Sequence, residues 1–145
     1  MKNLFAGLLV IMFSFLLTSC SDSEDKNTIS NNIQSMREAI QNHDIHAFMK
    51  HVGSRYRGQS HGNRQSMERF VIQKLKANKK IYIYIADTDI EITDNIAKVI
   101  FYAGTAGGPD QIPERGQLFK VQTTWRENKG HWQLTNAKWR PALIK

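Results

Sequence analysis

The apolar residues of this chain recur at helical spacing as far as Leu75 and at strand spacing from Ile81 onward, and the change is made once, at Lys79-Lys80. That single change restricts the fold. Helices from the first part have to lie together on a sheet built by the second part, because a parallel α/β sheet needs the two periods to alternate along the chain.

Within the first part, Ile29, Ile33, Met36 and Ile40 mark one face of a helix that Thr28 or Ser30 can cap. Asn42-His43-Asp44 interrupts it, and Asp44 opens a shorter helix whose stripe is Ile45, Phe48, Met49 and Val52, ending near Gly53. Ser54 to Asn63 is rich in Gly, Arg and Ser and reads as a loop. Met67, Phe70, Val71, Lys74 and Leu75 then predict a third helix.

In the second part the alternation slips twice. Ile81, Ile83 and Ile85 share one parity and Ile90 and Ile92 the other, so a bulge is expected between Ala86 and Asp89. Asp94-Asn95 is a turn, and Ile96 to Thr105 returns as a strand with Val99 and Phe101 on one side and Ile100 and Tyr102 on the other. After a loop from Gly107 to Pro113, Leu118 to Glu127 forms a strand that turns at Asn128-Lys129-Gly130 into a last strand, His131 to Arg140. There Trp132 and Leu134 share a parity that Ala137 and Trp139 break, which predicts a second bulge near Thr135-Asn136. The expected fold is α+β, with N-terminal helices packed on a strongly curved antiparallel sheet of four strands or slightly more.

The chain opens differently. After Lys2 it carries no charge from Leu4 to Leu17, a stretch shorter than the roughly 20 residues a bilayer-spanning helix needs, so it reads as the core of a signal peptide. Leu17-Thr18-Ser19-Cys20 resembles the bacterial lipobox, and its cysteine is the only one in the chain. The resemblance implies cleavage after Ser19, acylation of Cys20 and membrane anchoring through that lipid. Because Ser21 rather than Asp follows the cysteine, it further implies the periplasmic face of the outer membrane of a Gram-negative cell. Residues 21–28 hold no large apolar side chain and cannot order themselves by burial. The expected organisation is a signal peptide over 1–19, a flexible tether over 20–28 and one folded domain over 29–145.

From Ile29 to Pro141 the order of elements resembles the nuclear transport factor 2-like (NTF2-like) superfamily, including its SnoaL-like and ketosteroid-isomerase-like branches. The resemblance rests on Ile40-Gln41-Asn42-His43-Asp44, on the strand pair around Asp94-Asn95, and on Trp125 through Leu134 (WRENKGHWQL). It implies a cone-shaped domain with a pocket between helices and sheet, and often a homodimer formed through the outer sheet face, here Ile100, Tyr102 and either Tyr82/Tyr84 or Ile81/Ile83.

Ketosteroid-isomerase-like members carry a carboxylate base after the second helix, and Gly53 to Asn63 contains neither Asp nor Glu. Tyr56 and His61 are the alternative acid–base candidates there. Asp87 and Asp89 lie at the predicted bulge, where a carboxylate is aimed either into a pocket or, as a solvated edge charge, away from it. His43, Trp125 and Trp139 are candidate ligand-binding residues, weighed against surface imidazole and packed indole.

His43, His46 and His51 do not share a helix face and no cysteine remains to join them, so no metal is expected; no cofactor motif is present. The formal charge of +7 would suit nucleic acid, but an exported lipoprotein meets anionic headgroups instead, and no nucleic-acid partner is expected. The expected function is binding of a small hydrophobic or anionic ligand, or of a partner, without catalysis. The alternatives are an isomerase-, cyclase- or hydrolase-like enzyme using a pocket acid or base, and a dimeric scaffold for envelope assembly.

Overall fold

The structure is a computed structural model and describes residues 19–59, 61–108 and 115–142. The predicted signal peptide up to residue 18, the side chain of Cys20 and residues 109–114 of the predicted loop lie outside the described residues. The elements run α1 (Ser19–Gln41), α2 (Ile45–Met49), β1 (Arg57–Gly58), β2 (Gly62–Asn63), α3 (Arg64–Ala77), β3 (Lys80–Thr93), β4 (Ile96–Gly108), β5 (Arg115–Asn128) and β6 (His131–Pro141).

The helix ends are made by local chemistry. α1 stops where His43 takes a left-handed φ of 57°; the His43 N–H then donates to the Ile40 carbonyl at 3.1 Å and the Asp44 N–H to that of Ala39 at 2.8 Å, the crossed pair of bonds that closes many helices. Asp44 turns the chain straight into α2, its Oδ1 accepting from the Ala47 N–H at 2.9 Å. Asn63 caps α3 in the same way, accepting from Ser66 at 3.0 Å. Arg64, at the start of α3, donates to the carbonyls of Val52 (3.1 Å) and Met49 (3.0 Å), so a cation closes the exposed end of α2 and fixes α3 against it.

Residues 20–28, expected as a flexible tether, continue α1 toward its N-terminus. Within this stretch Asp25 Oδ1 accepts from Trp132 Nε1 at 2.9 Å, and further along α1 Asn32 donates to the Trp132 carbonyl. The expected loop over 54–63 contains the two-residue hairpin β1–β2, and the Asn136 side chain bonds the Arg57 carbonyl to hold it on β6.

The main sheet has the order β3-β4-β5-β6 and every pairing is antiparallel. Its register breaks in the two places where the alternation slips. Between Ala86 and Asp89 the β3–β4 register shifts, with Asp87 at a φ of 52°, and Ile81, Ile83, Ile85, Ile90 and Ile92 all end on the concave side. In β6, Asn136 pairs with Thr124 and Leu134 with Trp125, leaving Thr135 as the extra residue. Trp132, Leu134, Ala137 and Trp139 thereby share one face.

Helices and concave face enclose the core. Ile29, Tyr56 and Val99 are fully buried and Trp125 is 1% exposed; a buried side chain of this size stabilises the fold by roughly 1.5–3 kcal/mol. The outer face is barer: Tyr84 is 71% exposed, and Lys120 lies over the Tyr102 ring.

Candidate functional site

The helices do not fill the concave side of the sheet. A cavity of about 1090 Å³ remains between α1, α3 and strands β3 to β6, just above the range usual for small-molecule sites, roughly 300–1,000 Å³. Ile33, Met36 and Ile40 of α1 and Met67, Phe70 and Val71 of α3 face Phe101, Ala103 and Val121 of the sheet across it. Burial falls along its length. Trp125 and Leu134 at the deep end are buried, whereas Gln117 is exposed and Gly107 half-exposed where β4 and β5 approach the shallow end. The polar side chains on the described wall are Arg37, His61, Lys74, Asn78, Thr105, Gln117 and Thr123; none is a carboxylate.

His61 and Trp139 come together on this wall. The imidazole stacks on Phe70 at 3.9 Å and on Trp139 at 4.7 Å. Desolvation lowers its pKa from the usual 6.5, and the Lys74 ammonium adds to the effect, so at neutral pH it is an uncharged ring in an aromatic stack. Trp125 is core and cavity wall at once, its Nε1 donating to Thr123 Oγ1 at 2.9 Å.

The remaining candidates lie elsewhere. Tyr56 is fully buried and does not line the cavity. Burial pushes its phenol up to about 12, and its hydroxyl has no hydrogen-bond partner among the described residues. A Cβ on Gly58 would come within 2.4 Å of that hydroxyl, so the ring is packed where only glycine leaves room. A phenol held so far above neutrality does not serve as a base, and no bond joins it to His61. His43 is a structural clip, its Nε2 lying 2.8 Å from the Asn78 carbonyl and tying the α1–α2 turn to the end of α3. Asp87 and Asp89 are exposed at the bulge and belong to no cavity wall. Among the described residues no group of three or more His, Cys, Asp or Glu side chains converges on a point that could hold a metal ion.

Sequence reasoning did not single out Arg37, whose one signal is its place directly after the core residue Met36 at the edge of the α1 stripe. It placed Lys74 on the third predicted helix without assigning it to a site.

The two depressed imidazoles set a pH dependence. His51, desolvated and beside Lys50, is shifted the same way as His61. When the folded state resists protonation that the unfolded state accepts, the unfolded chain binds more protons below the usual pKa of 6.5, and stability declines as pH falls from there through the depressed values. Thermal melts between about pH 7.5 and 5 should therefore show a falling midpoint. His61→Asn should remove part of that slope; an unchanged slope in the variant would contradict the assignment.

No protein-family profile matches the chain, and no curated protein is recognisably related to it. Solved structures are similar. A provisionally assigned dehydratase of the NTF2-like family from Streptomyces avermitilis superimposes with a TM-score of 0.74 at 16% identity, covering 84% of this chain and 99% of that one. An NTF2-like superfamily protein from Salmonella enterica gives 0.71 at 12% identity over 85% and 94%. A provisionally assigned scytalone dehydratase from Novosphingobium aromaticivorans gives 0.73 at 8% identity over 85% and 87%. The fold of this chain is thus the NTF2-like fold, with N-terminal helices on a four-stranded antiparallel sheet. Likeness at such identities carries the architecture alone, since one fold of this kind hosts ligand-binding and enzymatic members.

Proposed function

We propose that this protein is a lipid-anchored protein of the bacterial envelope whose NTF2-like domain binds a small hydrophobic ligand in its cavity without transforming it. One observation carries the binding reading: a large cavity walled by aliphatic and aromatic side chains, with few polar groups and no carboxylate on its described wall. An acid–base role, as in a dehydratase, would fall to His61. Its ring contacts are Phe70 and Trp139, with no described carboxylate hydrogen-bonded to it to set a tautomer or stabilise an imidazolium, which favours binding over turnover.

The anchor rests on Leu17-Thr18-Ser19-Cys20 and the charge-free stretch before it. α1 would then act as a stalk. Its N-terminal part lies by Trp132, whereas at its other end Gln41 Oε1 accepts from the Ile83 N–H at 3.0 Å. A helix of 23 residues is about 34 Å long. A lipid on Cys20 would therefore sit at the deep end of the cone, and the shallow end of the cavity would face away from the protein's own membrane.

The anchor is tested by Cys20→Ala, which is expected to move essentially all of the protein from the membrane fraction to the soluble one; an unchanged distribution would overturn it. Binding is tested by native mass spectrometry of that same full chain, recovered from the cells that make it. A co-purifying small molecule is expected, whereas a protein that arrives empty and takes up no apolar probe would overturn the binding reading.

A further inference from the structure

The charged and titratable groups on the cavity wall are uneven in sign. Arg37 and Lys74 are cationic, His61 is a base, and no acid on the described wall balances them. Arg37 is the more telling of the two cations. It sits on α1 one residue beyond Met36, on the flank that turns toward β3, as Gln41 one helical turn later shows by bonding to the backbone of Ile83.

Its guanidinium is only partly used. One terminal nitrogen meets Glu38 Oε1 at 3.3 Å, a pair whose acid is 60% exposed and whose base is 30% exposed, so water screens it and it holds little. The Nε of Arg37 is buried and has no partner among the described residues. A buried donor on a cation that bonds to nothing carries the full penalty of its lost water. With Nε closed off from the cavity and one terminal nitrogen on Glu38, the other terminal nitrogen has no partner among the described residues and is the donor left for a ligand. Lys74 reaches the same wall from α3, its Nζ 5.5 Å from the Phe70 ring.

We infer that the ligand of this cavity is a single-chain amphiphilic anion, an aliphatic carboxylate, with its hydrocarbon tail against Trp125, Leu134 and Ile33 and its carboxylate on Arg37. Arg37 supplies the directed hydrogen bonds from its terminal nitrogens, and Lys74 adds a second positive charge at the wall. The apolar depth selects the chain, and the absence of an acid from the described wall selects the sign of the headgroup. The assignment rests on the cavity being a binding site, as proposed above, and goes further in naming the class of ligand and the residue that reads it.

The test uses chain-matched probes on the full chain carrying Cys20→Ala, at concentrations where none forms micelles: dodecanoate, dodecanol and dodecylamine. Quenching of tryptophan emission reports occupancy, because Trp125 and Trp139 both line the cavity. Dodecanoate should bind about ten-fold more tightly than dodecanol, the low end expected for a hydrogen bond to a charged group, and dodecylamine more weakly than either. Arg37→Gln should remove most of the preference for acid over alcohol while leaving dodecanol affinity within about two-fold; Arg37→Lys should keep more of it. Equal binding of acid and alcohol to the unaltered cavity would overturn the inference, and so would an undiminished preference in a folded Arg37→Gln. If none of the three probes binds, the binding reading of the cavity falls first and this assignment with it. The comparison of acid with alcohol needs no cavity variant, so the inference is exposed to failure even where Arg37→Gln does not fold.

Discussion

Trp125→Ala is expected to lower the free energy of unfolding by about 3–5 kcal/mol, the cost usual for removing a buried indole. Trp125 is the largest of the fully buried side chains, at 1% exposure. It stands in β5 opposite Ala97 of β4 and Leu134 of β6, where the second register shift bends the sheet. Its removal forfeits the contacts of the ring and the bond from Nε1 to Thr123 Oγ1 at 2.9 Å. The space it leaves opens onto the existing cavity, so the walls have little to collapse against. Single domains are stable by only about 5–15 kcal/mol, and the variant should sit near the edge of folding at 37 °C. Denaturant titration followed by circular dichroism measures the change. Trp125→Phe, which loses the hydrogen bond and part of the ring, should cost much less. A loss below about 1 kcal/mol for the alanine variant would mean that the bend is held by the backbone ladder and not by this side chain.

Ala103→Trp should abolish ligand binding while leaving the protein folded. Ala103 pairs with Ile85 on one side and Phe119 on the other, is 8% exposed and points into the cavity from the middle of the sheet. Adding bulk to a packed core usually costs about 1–3 kcal/mol through strain. Here the indole enters space that the protein leaves open, so the strain should fall at or below the low end of that range. The occupied volume is what a ligand tail would need. Affinity for a twelve-carbon carboxylate should drop at least about 100-fold, equivalent to about 2.7 kcal/mol, as read by displacement of a fluorescent fatty-acid probe. Tyr84→Ser, on the outer face where the ring is 71% exposed, should leave affinity unchanged. Wild-type affinity in a folded Ala103→Trp would remove the cavity from consideration as the binding site.

These expectations draw on different kinds of information. The α+β layout follows from local periodicity alone. Which face of a helix or strand is apolar depends only on 3.6- or 2-residue spacing, and the lone change of period at Lys79-Lys80 is enough to order helices before sheet. Both sheet bulges were legible for the same reason, because a slip in parity at Ala86–Asp89 or at Thr135 has to be absorbed by an extra residue if one face is to remain buried. Caps and turns at Asp44, Asp94 and Lys129-Gly130 are likewise local, each set by a side chain or a positive φ at one position.

The candidate site was legible only in part. A list of His, Tyr, Asp and Trp residues carries no information about which of them converge, since convergence depends on contacts between segments far apart in the chain. His61 and Trp139 meet because β1–β2 is tied to β6 through Asn136 and Arg57. Asp87 and Asp89 turn outward because the bulge keeps the isoleucines of β3 on the concave side. The contact of the helical stretch over 20–28 with the sheet, Trp132 Nε1 donating to Asp25, is likewise a long-range one.

What the sequence determined by itself is therefore the order and type of the main helices and strands, the two bends of the sheet and the lipobox-like run that ends at Cys20, all of them readable at short range. What only the tertiary structure decided is that the helices leave a cavity unfilled and that Arg37, with no carboxylate beside it among the described wall residues, faces it. Packing gaps and unpartnered donors are properties of surfaces brought together from distant parts of the chain.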